Sequence, residues 1–436
     1  MFIPSLETNN IVSFKLSIAV PNESQYVVSS SSPPNIQPIL KKYNFVFPPT
    51  TIRSYFLGFA IGYFNVIDLI TQNGTTIEVY LSADTSFDET NFVIGAVTFY
   101  DAFFESKIQV HQIVLIPGYP QSGNATTGVL FLDQDLFVDF TQENKKYVLK
   151  QIAMYMILTI NNSNAYWYLE GIADFVSTIY FKQLFPEVAD PFFEKFLFVI
   201  QNDTLFNGLL LNDSSLIELD EDNEIPELSI KKSTCLVKMI HDLIGEGDFK
   251  KGILEFLSDQ KSFEESFDAS TNKFIDSWAS QPGYPLLVLD NECVLHQMRF
   301  STSSTFSQQK WAIPLEIWKY SSGNVSKERI LMETESIEID CQNCDCVIIN
   351  PKCKILCRVL YQSRWLSPIM DHWEDLEVED KIMMKMNLTN YAQMGIIQKA
   401  VLNNQKLNEI DIPKKFQRIY PLIRGSKSPI LRFAEF

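Results

Sequence analysis

Apolar and polar positions change their period several times along this chain. Residues 11–20 and 76–82 alternate with a period of two, the pattern of half-buried strands, and a Pro- and Ser-rich stretch at 29–38 separates the first group from the rest of the chain. From about Glu143 the period lengthens. Tyr147, Val148, Ile152, Met154, Tyr155 and Leu158 recur at helical spacing, Asn-rich 161–164 breaks the pattern, and 167–183 resumes it. Further helices are predicted over 189–201, 227–245, 247–258 and 270–280. Pro282 and Gly283 end the last of these. Residues 284–362 then read as short strands, with turns at 321–324 and at Asn350-Pro351. After Pro368 the helical signal returns, most clearly over 388–407, and no internal repeat is visible.

A chain of 436 residues exceeds what one core usually serves, so two to four domains are expected. With 46% apolar and 13% aromatic residues it can bury a core. The net charge is −17, from 53 acidic against 36 basic residues, the wrong sign for tracking phosphates, so nucleic acid is not expected as a partner. The acid excess itself implies no more than solubility, and the run Glu218, Asp220, Glu221, Asp222, Glu224 reads as an exposed loop.

No membrane span is expected, because the most apolar stretches, 56–70 and 147–160, are interrupted by Asn65, Asp68, Lys150 and Gln151. No basic-plus-apolar leader follows Met1. Eight Asn-X-Ser/Thr sequons, at Asn22, Asn73, Asn124, Asn161, Asn202, Asn212, Asn324 and Asn387, nevertheless point to an extracellular or secretory-lumen glycoprotein whose signal or anchor is missing here. Of seven cysteines, five (Cys341, Cys344, Cys346, Cys353 and Cys357) fall in one short segment that alternates like two strands. Cross-strand disulfides are the first reading in an oxidising compartment, with a zinc cluster as the alternative.

Several local strings are similar to those of the M1 metalloaminopeptidases. The run from Arg53 to Phe64 (RSYFLGFAIGYF) resembles the strand that closes that family's N-terminal domain. Trp167-Tyr168-Leu169-Glu170-Gly171-Ile172-Ala173 looks like its W-L-N-E-G-F-A helix, and Trp278 to Pro285 (WASQPGYP) looks like the junction into its β-sandwich. Asn390-Tyr391-Ala392-Gln393 echoes the N-R-A-Q that opens its C-terminal helical domain. The resemblance implies a multidomain α+β fold. Residues 1–66 would be the end of the N-terminal β-domain, 67–283 a thermolysin-like, mainly helical domain, 284–365 a small β-sandwich and 366–436 the start of the C-terminal helical domain. The chain would then be a truncated or fragmentary relative.

The resemblance also implies chemistry: a zinc ion held by two His at i and i+4 and by a Glu of the next helix, with a second Glu as general base. Matching on the Trp167 to Ala173 string places Lys150-Gln151-Ile152-Ala153-Met154 where HExxH is expected. The histidines, His111, His241, His296 and His372, include no pair four apart. The family's G-x-M-E-N strand reads Gly123-Asn124-Ala125-Thr126-Thr127-Gly128, without the carboxylate that would hold a substrate amine. The family's oxyanion-binding Tyr, in Y-x-K-G, is replaced by Ile230 in Ile230-Lys231-Lys232-Ser233. Only Glu170 matches a zinc ligand.

The expectation from these positions is a chain with no catalytic residues, no zinc and no enzymatic activity: a pseudopeptidase that binds a peptide or protein partner. The alternatives are an assembly scaffold, like the aminopeptidase-like subunit of the general transcription machinery, or a residual aminopeptidase. Lys150 and Glu170 are expected either to pair in the vacated metal site or to be a solvated lysine and ordinary helix polarity. Residues 123–128 are expected to line the peptide cleft, which a glycan on Asn124 would obstruct. The isolated histidines and the stripe Phe192, Phe193, Phe196 and Phe198 read as packing.

Overall fold

The computed structural model describes residues 11–21, 27–30, 35–39, 42–46, 50–53, 58–82, 87–160, 166–203, 227–258, 262–300, 309–321 and 324–393. Among them the chain is mixed α+β and divides into two compact units. The first is formed by Met1–Phe185 with Gly247–Ser266, and the second by Pro186–Glu246 with Phe267–Phe436.

The first unit opens with short strands: β1 (Ile11–Phe14), β2 (Ser17–Pro21), β3 (Val27–Ser30), β4 (Asn35–Ile39), β5 (Lys42–Val46), β6 (Thr50–Arg53) and β7 (Phe59–Gly62). They pair as β1 with β6, β3 with β7, and β2-β5-β4, all antiparallel. The Pro- and Ser-rich separator expected at 29–38 therefore carries parts of two strands, because Pro38 sits in the short strand β4, against Tyr43 of β5.

Next along the chain comes a five-stranded sheet of order β11-β12-β10-β9-β8, built from β8 (Phe64–Ile70), β9 (Thr76–Ser82), β10 (Val110–Ile116), β11 (Gly123–Ala125) and β12 (Leu130–Asp133). Strands β9, β10 and β12 run parallel, while β8 and β11 are antiparallel to their neighbours. A parallel pair needs a long connection, and helix α1 (Thr90–Phe104) provides it between β9 and β10. Hydrophobic periodicity does not predict α1, whose run TNFVIGAVTFYDAFF is apolar almost all round and shows neither period clearly.

Helices α2 (Gln142–Ile160) and α3 (Tyr166–Leu184) pack on each other in the core. From Val148 to Leu158, α2 is buried at every position but Lys150 and Gln151. The strongly apolar segment at 147–160 is thus a central core helix, and among the described residues no helix is long and apolar enough to cross a membrane. Helix α6 (Glu246–Leu257), which lies in this unit from Gly247 onward, adds Phe249 against Phe175 and Phe256 beside Tyr168.

The second unit contains α4 (Pro191–Asn202), α5 (Glu227–Ile244) and α7 (Ala269–Ala279). Asp190 caps α4 by accepting from Phe192 N–H, with Pro191 pre-set for the first turn; Asp268 caps α7 by accepting from Thr271 N–H at 2.7 Å. Its strands are β13 (Pro285–Leu289), β14 (Val294–Arg299), β15 (Ile313–Ser321), β16 (Asn324–Met332), β17 (Ser336–Glu338), β18 (Cys346–Ile349) and β19 (Arg358–Tyr361). They form two sheets, β17-β14-β13-β19 and β16-β15-β18. Helices α8 (Ser363–Asp371) and α9 (Val378–Gln393) come last. Of the helix expected over 388–407, the part beyond 393 lies outside the described residues, as does the acidic run at 218–224.

One side chain ties much of this unit together. Arg358, 2% exposed, donates from Nε to Tyr284 Oη at 3.0 Å, from Nη1 to Asn387 Oδ1 at 2.9 Å and from Nη2 to the Ile200 carbonyl at 3.1 Å. Its guanidinium also stacks over Phe300. Strand β19, the residue that precedes β13, and helices α4 and α9 thus meet at one side chain.

Candidate functional site

Lys150 projects from α2 and Glu170 from α3, and their charged ends meet: Lys150 Nζ lies 2.6 Å from Glu170 Oε2. The two side chains are only 18% and 14% exposed, so water screens the pair weakly. Burial works against the Lys150 charge, but the carboxylates of Glu170 and then Asp174 outweigh it and hold the ammonium above its ordinary range. Asp174 stands one turn after Glu170 on the same face of α3. The family resemblance gives this residue no role, and the signal that could have found it is its i, i+4 spacing from Glu170.

Beside Lys150 on α2, Gln151 is half-buried and Met154 is 5% exposed in the core. An ammonium, an amide and a buried thioether are not a zinc donor set, so the groups at these positions do not fit the metal that the resemblance implies. Among the described residues no group of three or more His, Cys, Asp or Glu is arranged to hold a metal ion. Ile230 lies in the first turn of α5 in the second unit, half-buried, and its carbonyl accepts from Ser233 and Thr234. Near it on α5, Lys232 is buried against Asp203 at 2.8 Å, and desolvation lowers its pKa despite that carboxylate.

The segment 123–128 splits into two parts. Gly123, Asn124 and Ala125 form β11, an edge of the five-stranded sheet, paired to β12 on one side only among the described strands. Gly123 is required there by close approach, since a Cβ would come within 2.9 Å of the Phe131 carbonyl oxygen and of a Leu132 methyl. Tyr147, three residues before Lys150, donates to the Gly123 carbonyl at 3.4 Å and ties the edge strand to α2. Asn124 is exposed and hydrogen-bonds with Tyr119, whose ring stacks on Phe131.

The second part turns inward, which corrects the expectation that all six residues line a cleft. Thr126 and Thr127 are buried, and their hydroxyls donate to the carbonyls of Val129 and Leu158. Gly128 adopts φ 84° and donates its N–H to Thr159 Oγ1 at 3.0 Å.

Among the sequons, Asn73, Asn124, Asn202 and Asn324 are exposed, while Asn22, Asn161 and Asn212 lie outside the described residues. Asn387 is corrected: at 4% exposure, with its Oδ1 held by Arg358, it has no room for a glycan. All seven cysteines are thiols in this structure. Cys346, Cys353 and Cys357 are buried, Cys344 is half-buried, and the thiol in contact with Cys341 belongs to Cys293, outside the sequence cluster.

No protein-family model matches the chain. It is similar to tricorn protease-interacting factor F2 of Thermoplasma acidophilum, at 24% identity over 84% of this chain and 49% of that protein. It is also similar to aminopeptidase N of Lactococcus lactis, at 22% identity over 87% of this chain and 48% of that protein, and to human endoplasmic reticulum aminopeptidase 2, at 23% identity over 56% of this chain and 26% of that protein. The chain spans about half the length of the first two and less of the third. Two of these relatives carry aminopeptidase names, which point to peptidase activity and overturn the expectation that the chain is no enzyme. Their agreement over most of the sequence, together with the α+β architecture, supports a divergent relative of the M1 aminopeptidases.

Proposed function

We propose that this chain is an aminopeptidase-like protein that takes an extended peptide, or an extended segment of a partner protein, along the outer side of β11. The observation that carries the reading is the position of β11 as a sheet edge, braced from behind by Tyr147. An edge strand presents main-chain donors and acceptors that an extended chain can pair with, whatever its sequence. Exposed Asn124 stands where side chains of the bound peptide would pass. The peptidase activity to which the relatives' names point belongs to the same reading, with the edge-bound peptide as its substrate. The finer domain reading is part of it too: 67–283 as a thermolysin-like domain, 284–365 as a β-sandwich, and flanking pieces of the N- and C-terminal domains. A secretory-pathway location is supported by the four exposed sequons.

The test is calorimetric titration with peptides of mixed sequence, run beside hydrolysis of a panel of aminoacyl fluorogenic substrates. Saturable binding that tolerates changes in peptide sequence and weakens when backbone amides are N-methylated supports the reading. No binding at millimolar peptide overturns it.

A further inference from the structure

Cys293 ends the turn that leads into β14, with φ 69°, and its carbonyl accepts from Ile339 N–H at 2.9 Å. Val294 pairs with Glu338 in the β14–β17 ladder, so the chain that leaves β17 toward Cys341 starts out alongside Cys293. The two thiols end in hydrogen-bonding contact. Cys341 is 6% exposed, whereas Cys293 is half-buried and has Arg364 Nη1 at 3.8 Å from its sulfur. A third thiol is close, because Cys344 donates its N–H to the Cys341 carbonyl at 3.2 Å.

We propose that Cys293 and Cys341 are a disulfide-forming pair that locks the start of β14 to the loop between β17 and β18. The two sulfurs have unequal roles. Cys293 is the reachable one, so it attacks first; Cys341 is held as a thiol by burial and reacts second. The oxidant is a small disulfide of the glutathione class. Cys293 thiolate attacks one of its sulfurs, that S–S bond breaks, and one glutathione leaves as thiolate. Cys341 then releases its proton to solvent and attacks the Cys293 sulfur of the mixed disulfide, and the second glutathione leaves. Two protein thiols are oxidised and one glutathione disulfide is reduced to two thiols.

The bond joins residues far apart in sequence and lies where the chain passes between the two sheets of the second unit, since β17 belongs to one and β18 to the other. Cross-linking so long a loop removes much of the freedom of the unfolded chain, so the oxidised protein is expected to melt at higher temperature.

The folded protein is incubated with oxidised glutathione, alkylated without reduction, digested and read by mass spectrometry. The expected result is a Cys293–Cys341 linked peptide, with a higher melting temperature than the reduced protein. Cys293→Ser abolishes both and Cys344→Ser abolishes neither. Glutathione retained on Cys293, a Cys341–Cys344 link, or no cross-link in a protein whose circular dichroism shows an intact fold would each overturn the proposal.

Discussion

Lys150 Nζ meets Glu170 Oε2 at 2.6 Å across the α2–α3 interface, with Asp174 adding its field from the next turn of α3. Removing one member of a largely buried pair strands the other. Lys150→Ala is therefore expected to cost about 3 kcal/mol in urea unfolding. Lys150→Met combined with Glu170→Gln is expected to recover part of that loss, because neither member of the pair is left charged without the other and only Asp174 loses the nearby ammonium. Equal losses for the single and the double variant would show that packing, and not charge, is what Lys150 supplies.

Asp380 on α9 carries an opposite strain. Burial pushes its carboxyl up to about 7; the Lys352 N–H, at 2.6 Å from Oδ1, opposes the shift, and nearby Glu379 and Glu377 add to it. Oδ2 is buried with no hydrogen-bond partner among the described residues. A raised carboxyl pKa means that the folded state holds this proton more tightly than the unfolded chain does. The stability Asp380 contributes is thus full below about pH 4 and is lost as pH rises through about 7. Asp380→Asn should flatten the dependence between pH 4 and 7 and raise stability at pH 8 by up to ~4 kcal/mol, on 1.36 kcal/mol per pKa unit. Denaturant unfolding at several pH values checks both the sign and the flattening.

The buried Arg358 fork predicts a failure of conservative replacement. Its three donations go to Tyr284, Asn387 and Ile200 in different directions, and a lysine ammonium has no planar fork with which to reach them all. Arg358→Lys should lose about 2 kcal/mol, on the usual worth of hydrogen bonds to a charged group, and thermal unfolding measures it.

At the edge strand, a bulky adduct is the direct probe of the proposed binding face. Asn124→Cys labelled with a large maleimide should reduce peptide affinity at least tenfold and leave the melting temperature unchanged. Exposure at the other sequons predicts that glycopeptide mapping of secreted material finds Asn73, Asn202 and Asn324 modified and Asn387 bare.

How far the sequence reached depended on how local each signal was. Helices α2 to α7 were legible because their apolar spacing and caps lie within a few residues, as with Asp190 before Pro191 and Asp268 before α7. Helix α1 was not, since a nearly all-apolar run has no polar face to reveal its period. At the site, the tryptophan string put Lys150 and Glu170 at positions of zinc ligands but left open whether they pair, which the packing of α2 on α3 decides. The inward turn of Thr126 and Thr127 was hidden, because their partners Val129 and Leu158 come from a turn and a helix whose approach no spacing rule gives. Cys293 escaped for the same reason: clustering in sequence drew attention to Cys341 and its near neighbours, while the contact is set by the pairing of β14 with β17.

The division of the chain between its units bears on how it reaches this state. The chain leaves the first unit after Phe185, spends Pro186–Glu246 in the second, returns for Gly247–Ser266 and leaves again. The first unit therefore lacks α6 until synthesis has passed the end of that return segment. Helix α4, made early, waits for Arg358 to reach the Ile200 carbonyl from 158 residues downstream. Contacts of such range close slowly, because the entropy of bringing distant segments together is lost before any bond is gained. A ribosome halted before β19 would thus hold a nascent chain in which α4 can pack on α5 and meet Tyr284 but lacks its Arg358 anchor, a substrate for chaperones and not a finished domain.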